Sequence, residues 1–392
     1  MFRALKIGCA LVIAVGSSAF AADNPGVTPT EVKVGGIFPF SGPASSIGLV
    51  GRGILAYVQS INDRGGINGR KINYIAYDDA YSPPKAVEHA RKLVESDEVA
   101  FMFSQLGTPG NSATAKYLTS KGIPAIAIVS GSNKFTNVAD FPLTTTSLVS
   151  FDTEGKIYAK FLTRTLPNAK YAILYQNDDL GKDYVNAFKA LLKSDFDKRV
   201  VAASYEITDP TVDSQVVSLK STGAEALLVA GTPKFAAQAI RKASEIGWKA
   251  TILLNYPSSS VGATLKPAGL DKSTGVIVGT ITMDPTDSQW DNNEGMKNFR
   301  AFVDKYMPGI DIADTNYLFG YTQGMLLEQI IKQCGNDLSR ENIMHQAANL
   351  HDLELPLLLP GIRINTSPTD YRPIKQMRPM RFNSSVGRRA PS

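Results

Sequence analysis

The stretch KINYIAYDDAYSPPKAVEHARKLVES, Lys71–Ser96, carries the fold in one strand and one helix. Its first eight residues alternate apolar and polar, the period of a strand with one buried face. Ser82 stands where a helix N-cap belongs, and Pro83 and Pro84 suit a first helical turn. Beyond them Ala86, Val87, Ala90, Leu93 and Val94 recur at helical spacing and predict an amphipathic helix. Working outward, Val32–Phe38 (VKVGGIF) reads as a buried strand. The helical stretch GLVGRGILAYVQSIND then stops at Gly65-Gly66. VAFMFS and IPAIAIV are further strands, separated by the helix-like GNSATAKYLTSKG. Short apolar strands alternating with amphipathic helices predict a parallel sheet covered on both faces.

The alternation pauses at FPLTTTSLVSFDTEG and starts again. KYAILYQ, RVVAASYE, EALLVAG and KATILLN are strands. In KFAAQAIRKASEIG, residues Phe235, Ala236, Ala239, Ile240, Ala243 and Ile246 make one apolar helix face. A second α/β sandwich is the simplest reading. After Met283-Asp284-Pro285 the pattern turns helix-rich, and periodicity leaves open whether those helices close the first sandwich or form a third unit.

Composition bounds the function. The chain has 392 residues, 43% hydrophobic and 20% charged, which is globular and long enough for two domains. The net charge of +5 is spread over 41 basic and 36 acidic residues with no basic run interleaved with aromatics, so nucleic acid is not expected. Arg3 and Lys6, the apolar run Ile7–Val15 and the small residues Ala19 and Ala21 predict a cleavable export signal over residues 1–22. Only Cys334 would remain after cleavage, and a lone cysteine forms no internal disulfide.

The sequence offers no G-x-S-x-G, no H-E-x-x-H and no P-loop signature, and its three histidines have no partner at ligand spacing. No enzyme, metal site or cofactor is expected. Asp78-Asp79 and Asp178-Asp179 end strands, but adjacent strand residues point to opposite faces, so turn-fixing is the expected role. More informative are GTPGNSA and VSGSNKF at the ends of two neighbouring strands. Gly107, Thr108 and Ser112 open a helix, whose free N–H groups attract an anion such as a carboxylate. Ser130, Gly131 and Ser132 add small hydroxyl residues beside them; ordinary turn chemistry would use the same residues.

Taken in order, FPFSGPASSIG, GGINGRKINYIAYDDAYSPPKAVE, GTPGNSATAKYL, YQNDDLGKDY, TDPTVDSQVVSLKSTGAE and PAGLDKSTG closely resemble the substrate-binding proteins of branched-chain-amino-acid-type ABC transporters, from about Glu31 to about Phe382. They look most like the subgroup that frequently binds aromatic acids. The resemblance implies an α/β fold of two doubly wound parallel-sheet lobes, joined by three crossovers around an interlobe ligand cleft. The crossovers are expected near Ser147–Ser150, Gly279–Asp284 and Leu353–Leu357. The N-terminal lobe would take residues 27–148 and 284–354, and the C-terminal lobe 149–283 and 355–383. Residues 384–392, NSSVGRRAPS from Asn383 onward, depart from the family's aromatic-containing end strand and read as a solvated basic tail. The resemblance also implies a periplasmic protein, a monomer, whose partners are a small-molecule ligand and an inner-membrane permease.

Amino-acid-binding relatives hold the ligand ammonium with a glutamate in the loop after a second-lobe strand. By position that loop is LNYPSSS, with Asn255 and Tyr256 and no acid. A buried ammonium without a partner costs several kcal/mol, against about 8 kcal/mol for a micromolar complex. The expected ligand is therefore a small aromatic carboxylate, benzoate- or hydroxycinnamate-like. Alternatives are a branched-chain amino acid or amide, with Asp178, Asp179 or Glu154 supplying the charge, or a periplasmic sensor role. The expected first-lobe contacts are Ile47, Leu106, Gly107, Thr108, Ser130, Gly131, Ser132 and Tyr321. Those of the second lobe are Phe151, Leu180, Thr232, Asn255 and Tyr256.

Overall fold

The computed structural model describes residues 24–384 and the backbone of 388–391; the expected export signal lies outside the described residues. The first half folds as β1 (Glu31–Phe38), α1 (Ser45–Asp63), β2 (Lys71–Asp78), α2 (Pro83–Glu95), β3 (Phe101–Phe103), α3 (Thr108–Ser120), β4 (Ala125–Ile128) and β5 (Thr144–Thr146). These strands form one parallel sheet in the order β2-β1-β3-β4-β5. Alternate residues feed its two faces. Ile37, Met102 and Ile128 pack among α2 and α3 side chains, while Val34, Phe101 and Ile126 lie on the opposite side. Ser82 occupies the N-cap position of α2 but its hydroxyl makes no capping bond; two prolines open the helix.

The chain crosses after β5 into α4 (Phe151–Thr165), β6 (Tyr171–Gln176), α5 (Asp179–Leu192), short α6 (Phe196–Arg199), β7 (Val200–Tyr205), α7 (Asp213–Ser221), β8 (Ala226–Ala230), α8 (Pro233–Glu245), β9 (Thr251–Leu254), one-turn α9 (Lys266–Ala268) and β10 (Ile277–Thr280). Five parallel strands run in the order β10-β9-β8-β6-β7, extended past β10 by antiparallel β11 (Arg378–Asn383) and β12 (Arg388–Pro391). The end read from sequence as a solvated tail thus continues the sheet. Residues 388–391 pair with Asn383 to Met380, because the exposed side of β11 offers free N–H and C=O groups.

Between β10 and β11 lie α10 (Glu294–Tyr306), α11 (Thr315–Cys334) and α12 (Arg340–Ala347). They return to the first lobe. α11 lies against α1 at glycine contacts so close that a Cβ on Gly53 would meet Tyr317 O at 2.6 Å, and one on Gly320 would meet Val50 O at 2.2 Å. This approach brings the starts of α1 and α11 side by side at the first-lobe mouth. Crossovers two and three bond to each other: Met283 N–H donates to Leu357 O and Leu359 N–H to Ile281 O, both at 2.9 Å. The third is longer than its expected span. After Leu359 the chain turns back to the first lobe, where Thr366 N–H donates to Leu350 O and Tyr371 O–H to Pro142 O. Among the described residues no helix is long and apolar enough to cross a membrane.

Candidate functional site

In each sheet the strand order reverses next to the first strand formed, between β1 and β3 and between β6 and β8. At such a point neighbouring connections leave on opposite faces and open a crevice at the carboxyl ends of the strands. The two crevices face one another and enclose a cavity. From the first lobe it takes Ile47 and Val50 of α1, Tyr81 after β2, Leu106, Gly107 and Thr108 after β3, Val129 after β4, and Thr315, Asn316 and Phe319 of α11. From the second it takes Phe151 of α4, Leu180 of α5, Thr232 after β8, and Tyr256, Pro257 and Ser259 after β9; Leu148 contributes from the first crossover. Phe319 and Tyr256 meet edge-on across the cleft, ring centroids 6.0 Å apart. The space between the lobes is about 50 Å³, room for a few waters at roughly 10–15 Å³ each.

Eight of the thirteen residues expected from sequence thus line one cavity: Ile47, Leu106, Gly107, Thr108, Phe151, Leu180, Thr232 and Tyr256. Gly107 has φ +111, a backbone that side-chain-bearing residues rarely adopt, and this turn starts α3 at the cavity wall. Ser130 lies one layer behind, its Oγ 2.8 Å from Thr108 Oγ1 and accepting the Ser132 N–H at 3.2 Å. Gly131 backs onto the Phe151 ring. Asn255 is wholly buried at the end of β9, and among the described residues its side-chain amide has no hydrogen-bond partner. Two expectations need correcting. Ser132 is not in the anion cradle; its hydroxyl donates across the cleft to Asp183 Oδ2 at 3.0 Å. Tyr321 packs in the first-lobe interior against Tyr57 and Phe302, with centroids at 5.0 and 4.6 Å. Phe319, a little over half a helical turn earlier on α11, faces the cavity instead.

None of the lining side chains is charged. The three acids considered from sequence are all engaged elsewhere. Asp178 caps α5 by accepting the Leu180 N–H at 2.9 Å and also accepts Gln176 Nε2–H at 2.6 Å; burial pushes its carboxyl up to about 6. Asp179 reaches over the mouth of the cleft to Lys134 Nζ at 2.8 Å and accepts the Ser112 hydroxyl at 3.2 Å. Burial acts to raise its pKa, but Lys134 and Ser112 outweigh it and hold the carboxyl below its ordinary value. Glu154 is wholly buried behind Tyr256. Asp78 and Asp79 serve the βα turn, accepting the N–H groups of Ser41, Ala80 and Tyr81.

Charge decides what this cavity can hold. An ammonium would find no carboxylate on the wall, and leaving it uncompensated costs several kcal/mol. A carboxylate would meet hydroxyls and the N-terminus of thirteen-residue α3, whose partial positive charge favours an anion. Phe151, Tyr256, Phe319 and Tyr81 supply aromatic surface for a flat ring. Among the described residues no group of three His, Cys, Asp or Glu side chains could hold a metal ion.

Two touching lobes around one small cavity are the architecture of a ligand-trapping protein, and the sequence agrees: the model of the periplasmic binding protein family matches residues 31–387, and the chain belongs to that family. It is 26% identical over 358 residues to the Leu/Ile/Val-binding protein homolog 7 of Brucella abortus (strain 2308), covering 85% of each chain. Two solved structures share the fold. One is a branched-chain amino acid ABC transporter protein from Thermus thermophilus with bound valine, TM-score 0.81 at 15% identity, covering 93% of this chain and 96% of that one. The other is a fatty acid ABC transporter substrate-binding protein from Thermomonospora curvata, TM-score 0.79 at 20% identity, covering 94% and 92%.

Proposed function

We propose that the protein is the exported ligand-capturing component of an ABC importer of the branched-chain-amino-acid type, and that its ligand is a small aromatic carboxylate without an amine, such as a benzoate or a hydroxycinnamate. The observation that carries this reading is the uncharged wall of the interlobe cavity. The carboxylate would sit at Gly107 and Thr108, with Ser130 behind them, and the ring between Phe151, Leu180 and Tyr256. A ligand touching both lobes binds the closed state better than the open one, so capture shifts the population toward closure, the form a permease would receive. No bond of the ligand is made or broken.

The names of the relatives favour a second reading, a branched-chain amino acid. It requires an acid to come within reach of the ammonium, and Asp178, Asp179 and Glu154 are held by Gln176, Lys134 and Tyr184. Parallel calorimetric titration of ligand-stripped protein with leucine and benzoate separates the two. Heat from leucine alone overturns the aromatic reading.

A further inference from the structure

The cavity wall carries no charge, yet a buried acid stands directly behind it. Glu154 lies in the first turn of α4, three residues after Phe151. Its Oε1 accepts the backbone N–H of Tyr256 at 2.8 Å, and its Oε2 accepts the Tyr184 hydroxyl at 2.5 Å. Among the described residues no ion pair holds it. Tyr158, one turn further along α4, donates to Leu254 O at 2.7 Å and accepts the Gly279 N–H at 2.6 Å, tying the same corner to β9 and β10. Three pieces of the wall therefore meet near one carboxylate: the start of α4 with Phe151, α5 through Tyr184, whose ring stacks on Phe151 at 5.3 Å, and the turn bearing Tyr256, Pro257 and Ser259.

We propose that Glu154 is the positioning residue of this cleft: its carboxylate fixes the Tyr256 peptide, and with it the second-lobe wall, and its charge makes capture sensitive to the charge of the ligand. The proposal rests on the reading of the cleft as the ligand site. A carboxylate buried without a cation favours its neutral form. Burial pushes Glu154 up to about 7, against the opposing pull of Tyr184, the Tyr256 N–H and Tyr158. The titratable groups facing it are Tyr158 on its own helix, Tyr184 on α5 and Tyr256 on the turn. Tyr184 is held far above its ordinary value by burial and by Glu154 itself, and stays neutral. An anion arriving in the cavity disfavours ionised Glu154 and draws in a proton; an ammonium does the reverse.

Two measurements test this. Hydrogen exchange on the ligand-free, full-length mature protein reads the Tyr256 N–H directly. Glu154→Ala is expected to speed exchange in segment 255–260 roughly tenfold while β6 is unchanged; Glu154→Gln, whose amide oxygen still accepts that N–H, stays within about threefold of wild type. Wild-type protection in Glu154→Ala overturns the positioning role. Should Glu154→Ala not fold, the Glu154→Gln variant carries the test through its pH profile. Benzoate affinity is then compared at pH 6 and pH 8. A one-unit rise in the pKa on anion binding makes wild type about fivefold tighter at pH 6, and Glu154→Gln abolishes the difference. A wild-type affinity independent of pH overturns the charge coupling. If benzoate does not bind, the ligand reading fails while the exchange result still decides the positioning role.

Discussion

Replacing Asp183 by alanine should open the molecule. Asp183 projects from α5 of the second lobe and accepts two first-lobe donors on Oδ2, the Ser132 hydroxyl at 3.0 Å and the Asn133 N–H at 2.7 Å. Neither bond exists once the lobes part. Hydrogen bonds to a charged group contribute about 1.5–3 kcal/mol each, but here water replaces them on opening and burial opposes the charge, so about 2 kcal/mol for the pair is reasonable. That is about thirtyfold in the closed-to-open ratio, and it appears in full as weaker apparent affinity when the free protein is mostly open. Alanine is a good helix former, so α5 itself should hold. Asp183→Asn, with its amide oxygen in the place of Oδ2, can still accept both the Ser132 hydroxyl and the Asn133 N–H, and should lose no more than about threefold. Lys134→Ala, which removes the half-exposed pair with Asp179, should cost under about 1 kcal/mol and only at low salt. The assay is small-angle scattering of the free protein together with calorimetry on a bound aromatic acid. An Asp183→Ala protein with wild-type scattering and an affinity within about twofold of wild type would refute the latch.

Three further outcomes follow from the same structure. Asp79, Asp178 and Glu154 are pushed by burial to about 6, about 6 and about 7, so the folded state holds protons the unfolded chain has released. Stability should fall as pH rises from about 4.5 to about 7, with Glu154 alone worth about 3 kcal/mol, and a melting temperature that rises over that interval would contradict it. In Gly131→Ala the added Cβ meets Val149 O at 2.5 Å and the Phe151 ring at 2.7 Å; about 1–3 kcal/mol of stability should be lost in a denaturant titration, with ligand affinity reduced as the ring shifts. The Cys334 thiol is buried and pushed by that burial up to about 12, so a thiol reagent should label it only after denaturation, and rapid labelling of native protein would show the helix end to be open.

Much of this was legible in the sequence because α/β architecture places its site by rule. Gly107, Thr108, Leu180, Thr232 and Tyr256 each follow a strand that a run of apolar residues announces, and parallel strands put all their carboxyl ends on one edge. The rest is hidden where periodicity is silent. From Leu318 to Gly324 every residue of α11 is buried, so no polar face sets the phase of the helix and periodicity does not single out Phe319 as the residue that faces the cavity. Val50, Tyr81 and Asn316 carried no signal of their own; Tyr81 reaches the cavity through a turn with φ +64, outside any strand or helix pattern. Ser132 is a hydroxyl at a strand end, but its partner lies 51 positions away on the other lobe, and only the closed arrangement brings the two together. The C-terminal stretch carries no strand pattern in its sequence and joins the sheet through the backbone of β11.

The proposed ligand class depends on the absence of an ammonium partner on the cavity wall. Its most direct test is calorimetric titration of ligand-stripped protein with benzoate, 4-hydroxybenzoate, cinnamate and leucine under one set of conditions. Binding of at least one aromatic acid with no heat from leucine is the predicted result. Leucine bound tightly and the three acids ignored would contradict it, and would mean that a buried acid such as Asp178 or Glu154 turns toward the ligand on binding.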